Sequence, residues 1–141
     1  MMRIRFTVSG QPSGYVAQTN HRNKRVNAYY AWRKRIKDTA ALAGVKFPLV
    51  STPEAPIVIR TRSFFADKRH KDTLNVHKGV EDALFYIKPK YKKLFKLAGI
   101  PFTDDKCNGG SFAPVQFDSR NPRVEIMIQI PVVLGENDEK P

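Results

Sequence analysis

The sequence predicts a small α/β (α+β) domain in which a mixed β-sheet is packed by helices. Three stretches alternate apolar and polar residues with the period of a strand, and three others, interleaved with them, repeat apolar residues at helical spacing. With 141 residues, 41% of them hydrophobic, the chain fits one domain able to bury a core. That domain is expected over residues 1–134, followed by a disordered acidic tail over 135–141.

The first strand is written by Met2, Ile4, Phe6 and Val8 alternating with Arg3, Arg5 and Thr7. Residues 10–22 are rich in Gly, Pro, Ser and Asn and read as a long loop. From Lys24 to about Val45 the spacing is helical: Val26, Tyr29, Tyr30, Ile36, Ala40 and Ala43 or Leu42 can share one side, and Gly44 is a fitting stop. Arg33, Lys34, Arg35 and Lys37 on this helix would neutralise phosphates. Its tyrosines and Trp32 suit either the core or stacking on bases.

Residues 47–56 hold three prolines and read as a connection. Ile57, Ile59, Thr61, Ser63 and Phe65 then oppose Val58, Arg60, Arg62 and Phe64, a strand with a basic stripe on its second face. A helix follows from about Thr73 to about Tyr86, with Val76, Val80, Ala83, Leu84 and Ile87 as its apolar side and Pro89 expected to end it. Tyr91, Leu94, Phe95 and Ala98 repeat at i, i+3, i+4 and i+7 among Lys90, Lys92, Lys93 and Lys96, giving a short amphipathic helix closed by Gly99. Residues 112–117 suggest a short edge strand interrupted by Pro114, and Val124, Ile126, Ile128 and Ile130 write a firm final strand.

Charge narrows the partner. The net charge is +12, a field that attracts polyanions and makes nucleic acid the leading candidate. No run of about 18 apolar residues occurs and no apolar segment follows the N-terminal basic residues, so neither a membrane span nor a signal peptide is expected. The expected compartment is the cytoplasm, which suits the single Cys107. His21, His70 and His77 lack zinc-site spacing and read as surface residues. There is no Gly-rich phosphate loop and no Gly-x-Ser-x-Gly elbow.

The chemistry concentrates in residues 67–105, which hold six of the thirteen acids inside a basic field. Counting about 100° per residue, Asn75, Gly79 and Asp82 form a row beside the apolar stripe, with Asp72 at its N-terminal end. Asp72 fits two roles, helix N-cap or ligand to a hard cation. Asp104 and Asp105 follow a Gly-Ile-Pro-Phe turn and likewise fit turn acids or metal ligands. Carboxylates and a carboxamide near lysine would suit Mg²⁺-assisted phosphate chemistry.

In order and combination these residues resemble the RusA-type Holliday junction resolvases. Asp72, Asn75, Lys78, Asp82-Ala83-Leu84 and the Gly-to-Asp-Asp turn of residues 99–105 stand in the places of that family's pattern. The resemblance covers the central third closely and extends weakly to the opening strand, its Gly-x-Pro turn and the final strand. It implies a RusA-like fold and a Mg²⁺-dependent endodeoxyribonuclease that hydrolyses phosphodiesters in four-way or branched DNA, acting as a homodimer in recombination or repair. On that footing Asp72, Asp104 and Asp105 would hold the metal, Asn75 would orient that shell, and Lys78 would stabilise charge on the phosphate, with Asp72, Lys78 and Asp105 as the catalytic set. Arg33, Lys34, Arg35, Arg60, Arg62, Lys68, Arg69, Lys71, Lys90, Lys92 and Lys93 would contact DNA. Two departures stand out: Leu74 occupies the family's second aspartate position, and 106–110 (Lys-Cys-Asn-Gly-Gly) is not the family's usual strand start. Leu74 opens the alternative of a junction-binding protein without catalysis, and Asp104 with Lys106 that of a restriction-like nuclease.

Overall fold

A computed structural model describes residues 1–13, 24–68, 73–104 and 109–131. In chain order these form β1 (Met2–Ser9), α1 (Lys24–Leu42), β2 (Val58–Phe65), α2 (Thr73–Phe85), α3 (Pro89–Ala98), β3 (Gly109–Phe112), β4 (Gln116–Phe117) and β5 (Arg123–Ile130). Most of the predicted 10–22 loop and the predicted tail lie outside the described residues.

The sheet runs β1-β5-β2-β3, and β4 also pairs with β2. The last strand is therefore central. β5 is antiparallel to both β1 and β2, so those two run the same way, while β3 and β4 are parallel to β2. The sheet is mixed, as expected. The three long strands follow the period-two pattern: Ile4, Phe6 and Val8, then Ile59, then Val124, Ile126 and Ile128 all enter one core. Trp32, Ile36 and Ala40 from α1 and Val76, Val80 and Leu84 from α2 close it from the same side. The opposite face carries Arg3, Arg5, Arg60, Arg62, Glu125 and Met127, and none of the described helices covers it.

Three sequence expectations change. In α1 the buried side runs through Tyr29, Trp32, Arg33, Ile36 and Ala40, whereas Leu42 is 91% exposed. A side at i, i+3, i+4, i+7 accepts Trp32 and Arg33 and leaves Leu42 off it. Pro89 does not end α2, which stops at Phe85; it opens α3, where a missing N–H costs nothing. The stretch around Pro114 is two strands: residues 113–115 interrupt the pairing, and β3 and β4 each bond β2 on its outer edge. Gly99 caps α3 with φ of 68°, a left-handed backbone that glycine adopts without a Cβ clash. Its amphipathic pattern is present, yet no residue of α3 is fully buried and Leu97 is 86% exposed.

Candidate functional site

The first half of α2 is built against both the sheet and α1. His77 is buried at 6% exposure, and its Nδ1 shares a hydrogen bond of 2.9 Å with Thr61 Oγ1 in the middle of β2. On the opposite ring edge Nε2 lies 3.7 Å from Glu81 Oε1. This corrects the reading of His77 as a surface residue: position 77 adjoins Val76 and Val80 on the inward side, and Thr61 supplies the polar partner that a buried imidazole requires. Gly110, at the start of β3, lies directly beneath it, where a Cβ would approach His77 Nε2 to 3.1 Å and the Ile59 carbonyl oxygen to 2.6 Å. The entry of β3 thus adjoins the same turns of α2 that carry Asn75 and Lys78.

Asn75 and Lys78 are half-buried, one turn apart on α2. Of the row Asn75, Gly79 and Asp82, the last two face α1. Tyr29 donates its hydroxyl to Asp82 Oδ2 at 3.0 Å, and a Cβ on Gly79 would meet the Tyr29 ring at 3.2 Å. Asp82 therefore braces the two helices, and glycine at 79 lets them approach.

Asp104 is exposed and pairs with Lys92 Nζ at 2.9 Å. The hydrogen bond and charge of Lys92 hold its carboxyl below the ordinary range. Thr103 donates its N–H to the Leu49 carbonyl at 2.9 Å, and its hydroxyl oxygen accepts the Ser51 N–H at 2.8 Å, which fixes Asp104 near the entry to β2. At the other end of β2, Gln11 Oε1 accepts the Ala66 N–H at 2.9 Å and anchors the chain just before exposed Asp67 and Lys68. Asp72, Arg69 and Lys71 fall in 69–72, and Asp105 with Lys106 in 105–108, outside the described residues. Among the described residues no three His, Cys, Asp or Glu side chains form a metal-holding group. The predicted donors are all hard oxygens, which is the chemistry Mg²⁺ requires; two of the three carboxylates lie in the segments outside.

The predicted DNA-contacting cations divide among separate surfaces. Arg60 and Arg62 stand on the helix-free sheet face with Arg3 and Arg5, which the sequence reading had not singled out. The register places Arg5, Met127 and Arg60 in one row and Thr7, Glu125 and Arg62 in the next. Arg3, Arg5, Arg60 and Arg62 make no ion pair with described residues, and the one acid beside them, Glu125, accepts Arg123 Nε at 3.2 Å. On α1 the three consecutive cations point apart. Lys34 pairs with Asp38 at 2.6 Å, Arg35 bonds the Ser9 carbonyl, and Arg33 is buried among Tyr29, Tyr30 and Tyr86. On α3, Lys92 is engaged by Asp104 and Lys90 Nζ lies 5.0 Å from the Tyr91 ring centroid, while Lys93 is exposed.

Leu74, at the second position of α2, is 56% exposed. It belongs to neither the core nor the α1 contact. No described helix is long and apolar enough to cross a membrane. No family model matches the chain, and no curated protein sequence matches it.

Proposed function

We propose that the protein is a Mg²⁺-dependent endodeoxyribonuclease of branched DNA, similar to the RusA-type resolvases. The observation that supports this reading is local: Asn75 and Lys78 flank His77 on α2, and the start of β3 lies against that histidine. The net charge of +12 and the four arginines of the open sheet face, which make no ion pair with described residues, support a polyanionic substrate. Asp72, Asp104 and Asp105 would hold the metal. Bound there, Mg²⁺ supplies Lewis acidity toward the phosphate and activates water. Lys78 stabilises negative charge growing on the scissile phosphate, and Asn75 orients the carboxylates. Asp104 must exchange Lys92 for the cation, so Lys92 regulates access to that ligand. A junction is cut at two symmetry-related points, and a homodimer supplies two such sites.

A second reading, junction binding without cleavage, is favoured by one observation: an exposed leucine at 74 where the resemblance calls for a carboxylate. One assay separates the two. Synthetic four-way junctions, linear duplexes and single strands are incubated with Mg²⁺ and wild-type protein, Asp72→Asn, Asp105→Asn or Leu74→Asp. The proposal expects junction nicking by the wild type, loss of nicking with retained binding in both Asn variants, and a lower Mg²⁺ requirement in Leu74→Asp. Tight junction binding with no nicking in any metal supports the second reading, and wild-type nicking by both Asn variants removes the assigned ligands.

A further inference from the structure

A buried cation is ordinarily paired or hydrogen-bonded, because desolvating it alone is costly. Arg33 escapes that cost only by keeping its guanidinium nitrogens in reach of solvent, since none is among the fully buried side-chain atoms without a partner. It is 9% exposed, and it makes no hydrogen bond or ion pair with any described residue. What surrounds it is aromatic: its guanidinium carbon lies 4.7 Å from the Tyr86 ring centroid and 5.6 Å from those of Tyr29 and Tyr30. Such contacts favour a cation without neutralising it.

Two further cations converge on the same place. Arg33, Lys37 and Lys88 line a cleft of about 330 Å³ between α1 and the junction of α2 with α3, walled by Tyr30, Tyr86 and Tyr91. Lys37 Nζ donates to the Tyr86 carbonyl at 3.2 Å. Its pKa is lowered, first by burial, then by Arg33 and Lys88, with Asp38 opposing. Asp38 is the one acid lining the cleft, and Lys34 binds it at 2.6 Å. Packing alone accounts for one arginine among rings. It does not account for three cations facing one another over a cleft whose single carboxylate is engaged; an anion held among them would relieve that repulsion.

We propose that this cleft binds a nucleotide, with Arg33, Lys37 and Lys88 on its phosphate and Tyr30, Tyr86 and Tyr91 offering ring faces to its base. The volume suits one nucleotide and is too small for a base pair. The occupant is either a free nucleotide or an unpaired nucleotide of a DNA strand, since both present a phosphate beside an exposed base. The DNA source rests on the nucleic-acid half of the proposed function and not on its metal chemistry. Asp104 does not line the cleft.

The test is calorimetric titration of the full-length protein with inorganic phosphate, a deoxynucleoside monophosphate, a short single strand and a four-way junction. Wild type should bind the mononucleotide one to one. Arg33→Gln and Lys37→Gln should each weaken mononucleotide binding at least tenfold. Lys88→Gln, at an exposed position, should weaken it severalfold. Tyr86→Ala should weaken the mononucleotide and leave inorganic phosphate unchanged. A single strand binding much tighter than the mononucleotide, with loss in the same variants, identifies the DNA source; equal affinities identify the free nucleotide. Wild-type binding of the junction but of neither mononucleotide nor single strand overturns the cleft while the proposed function stands. Mononucleotide binding without any junction binding keeps the cleft and removes the proposed function. Unchanged mononucleotide affinity in folded Lys37→Gln and Lys88→Gln also overturns the cleft.

Discussion

At the scale of single residues, the decisive quantity is what each polar side chain is bound to. Asp104 owes its lowered pKa first to the Lys92 hydrogen bond. A carboxyl with a depressed folded-state pKa contributes stability above its unfolded value, near 4, and loses it as pH falls through the folded value. The pair is exposed, so the contribution is small. Lys92→Ala should return Asp104 to the ordinary carboxylate range in an NMR titration, with little change in melting temperature; an unmoved titration would mean that Lys92 does not govern it. Leu74 is the opposite case, an apolar side chain bound to nothing in the core. Its exposure means that Leu74→Asp should leave thermal stability unchanged or raise it by up to about 1 kcal/mol, since an acid in the first turn faces the positive end of the helix dipole. A drop of several kcal/mol would show that position 74 is covered in solution. Sequence reading found Leu74 by its place in a pattern, and it could not find His77. The helical spacing alone puts 77 between two core positions, but only the register of β2 brings Thr61 to its imidazole.

At the scale of elements, the sheet was legible because alternation survives in every long strand: Ile57, Ile59, Thr61, Ser63 and Phe65 are all buried, as the pattern in the sequence requires. The order of the strands was not legible, since nothing local in Arg123–Ile130 says that it inserts between β1 and β2. The role of Pro89 was not legible for a similar reason. Pro89 is compatible with stopping one helix or starting another, and the three residues after Phe85 decide between them. The α1–α2 contact makes the sharpest test at this scale. Alanine at 79 would gain about 1 kcal/mol of helix propensity over glycine. Its Cβ, however, would press on a Tyr29 ring that is wholly buried and tied to Asp82, so the ring cannot yield cheaply. Overpacking of that kind costs about 1–3 kcal/mol. Gly79→Ala should therefore lower stability in chemical denaturation, and Tyr29→Leu in the same background should recover part of the loss. A stabilised Gly79→Ala variant would mean that α1 and α2 separate more easily than their contacts suggest.

At the scale of the whole molecule, the cations sit on both sides of the sheet. Arg3, Arg5, Arg60 and Arg62 run diagonally across the open face. With about 4.8 Å between strands and about 6.7 Å between alternate residues, the diagonal spans roughly 17 Å, or about five phosphates along one strand of a duplex. The lysines of α3 lie with the helices, beyond the other face. A single straight duplex can lie against one of these surfaces at a time, whereas the arms of a four-way junction diverge and can reach both. Each phosphate neutralised adds about −0.9 to the slope of log affinity against log salt. Replacing Arg5, Arg60 and Arg62 by Gln should then reduce the slope by up to about 2.7 on whichever substrate uses the sheet face. The change for Lys90, Lys92 and Lys93 replaced by Ala should be smaller, because Lys92 must first leave Asp104. On a linear duplex only one of the two triple variants should flatten the slope; on a junction both should, and their effects should add because the sites are far apart. Anisotropy titrations at four salt concentrations decide it. Equal flattening by both variants on the linear duplex would show that one arm touches both surfaces, and the two-faced arrangement would then carry no preference for branched DNA.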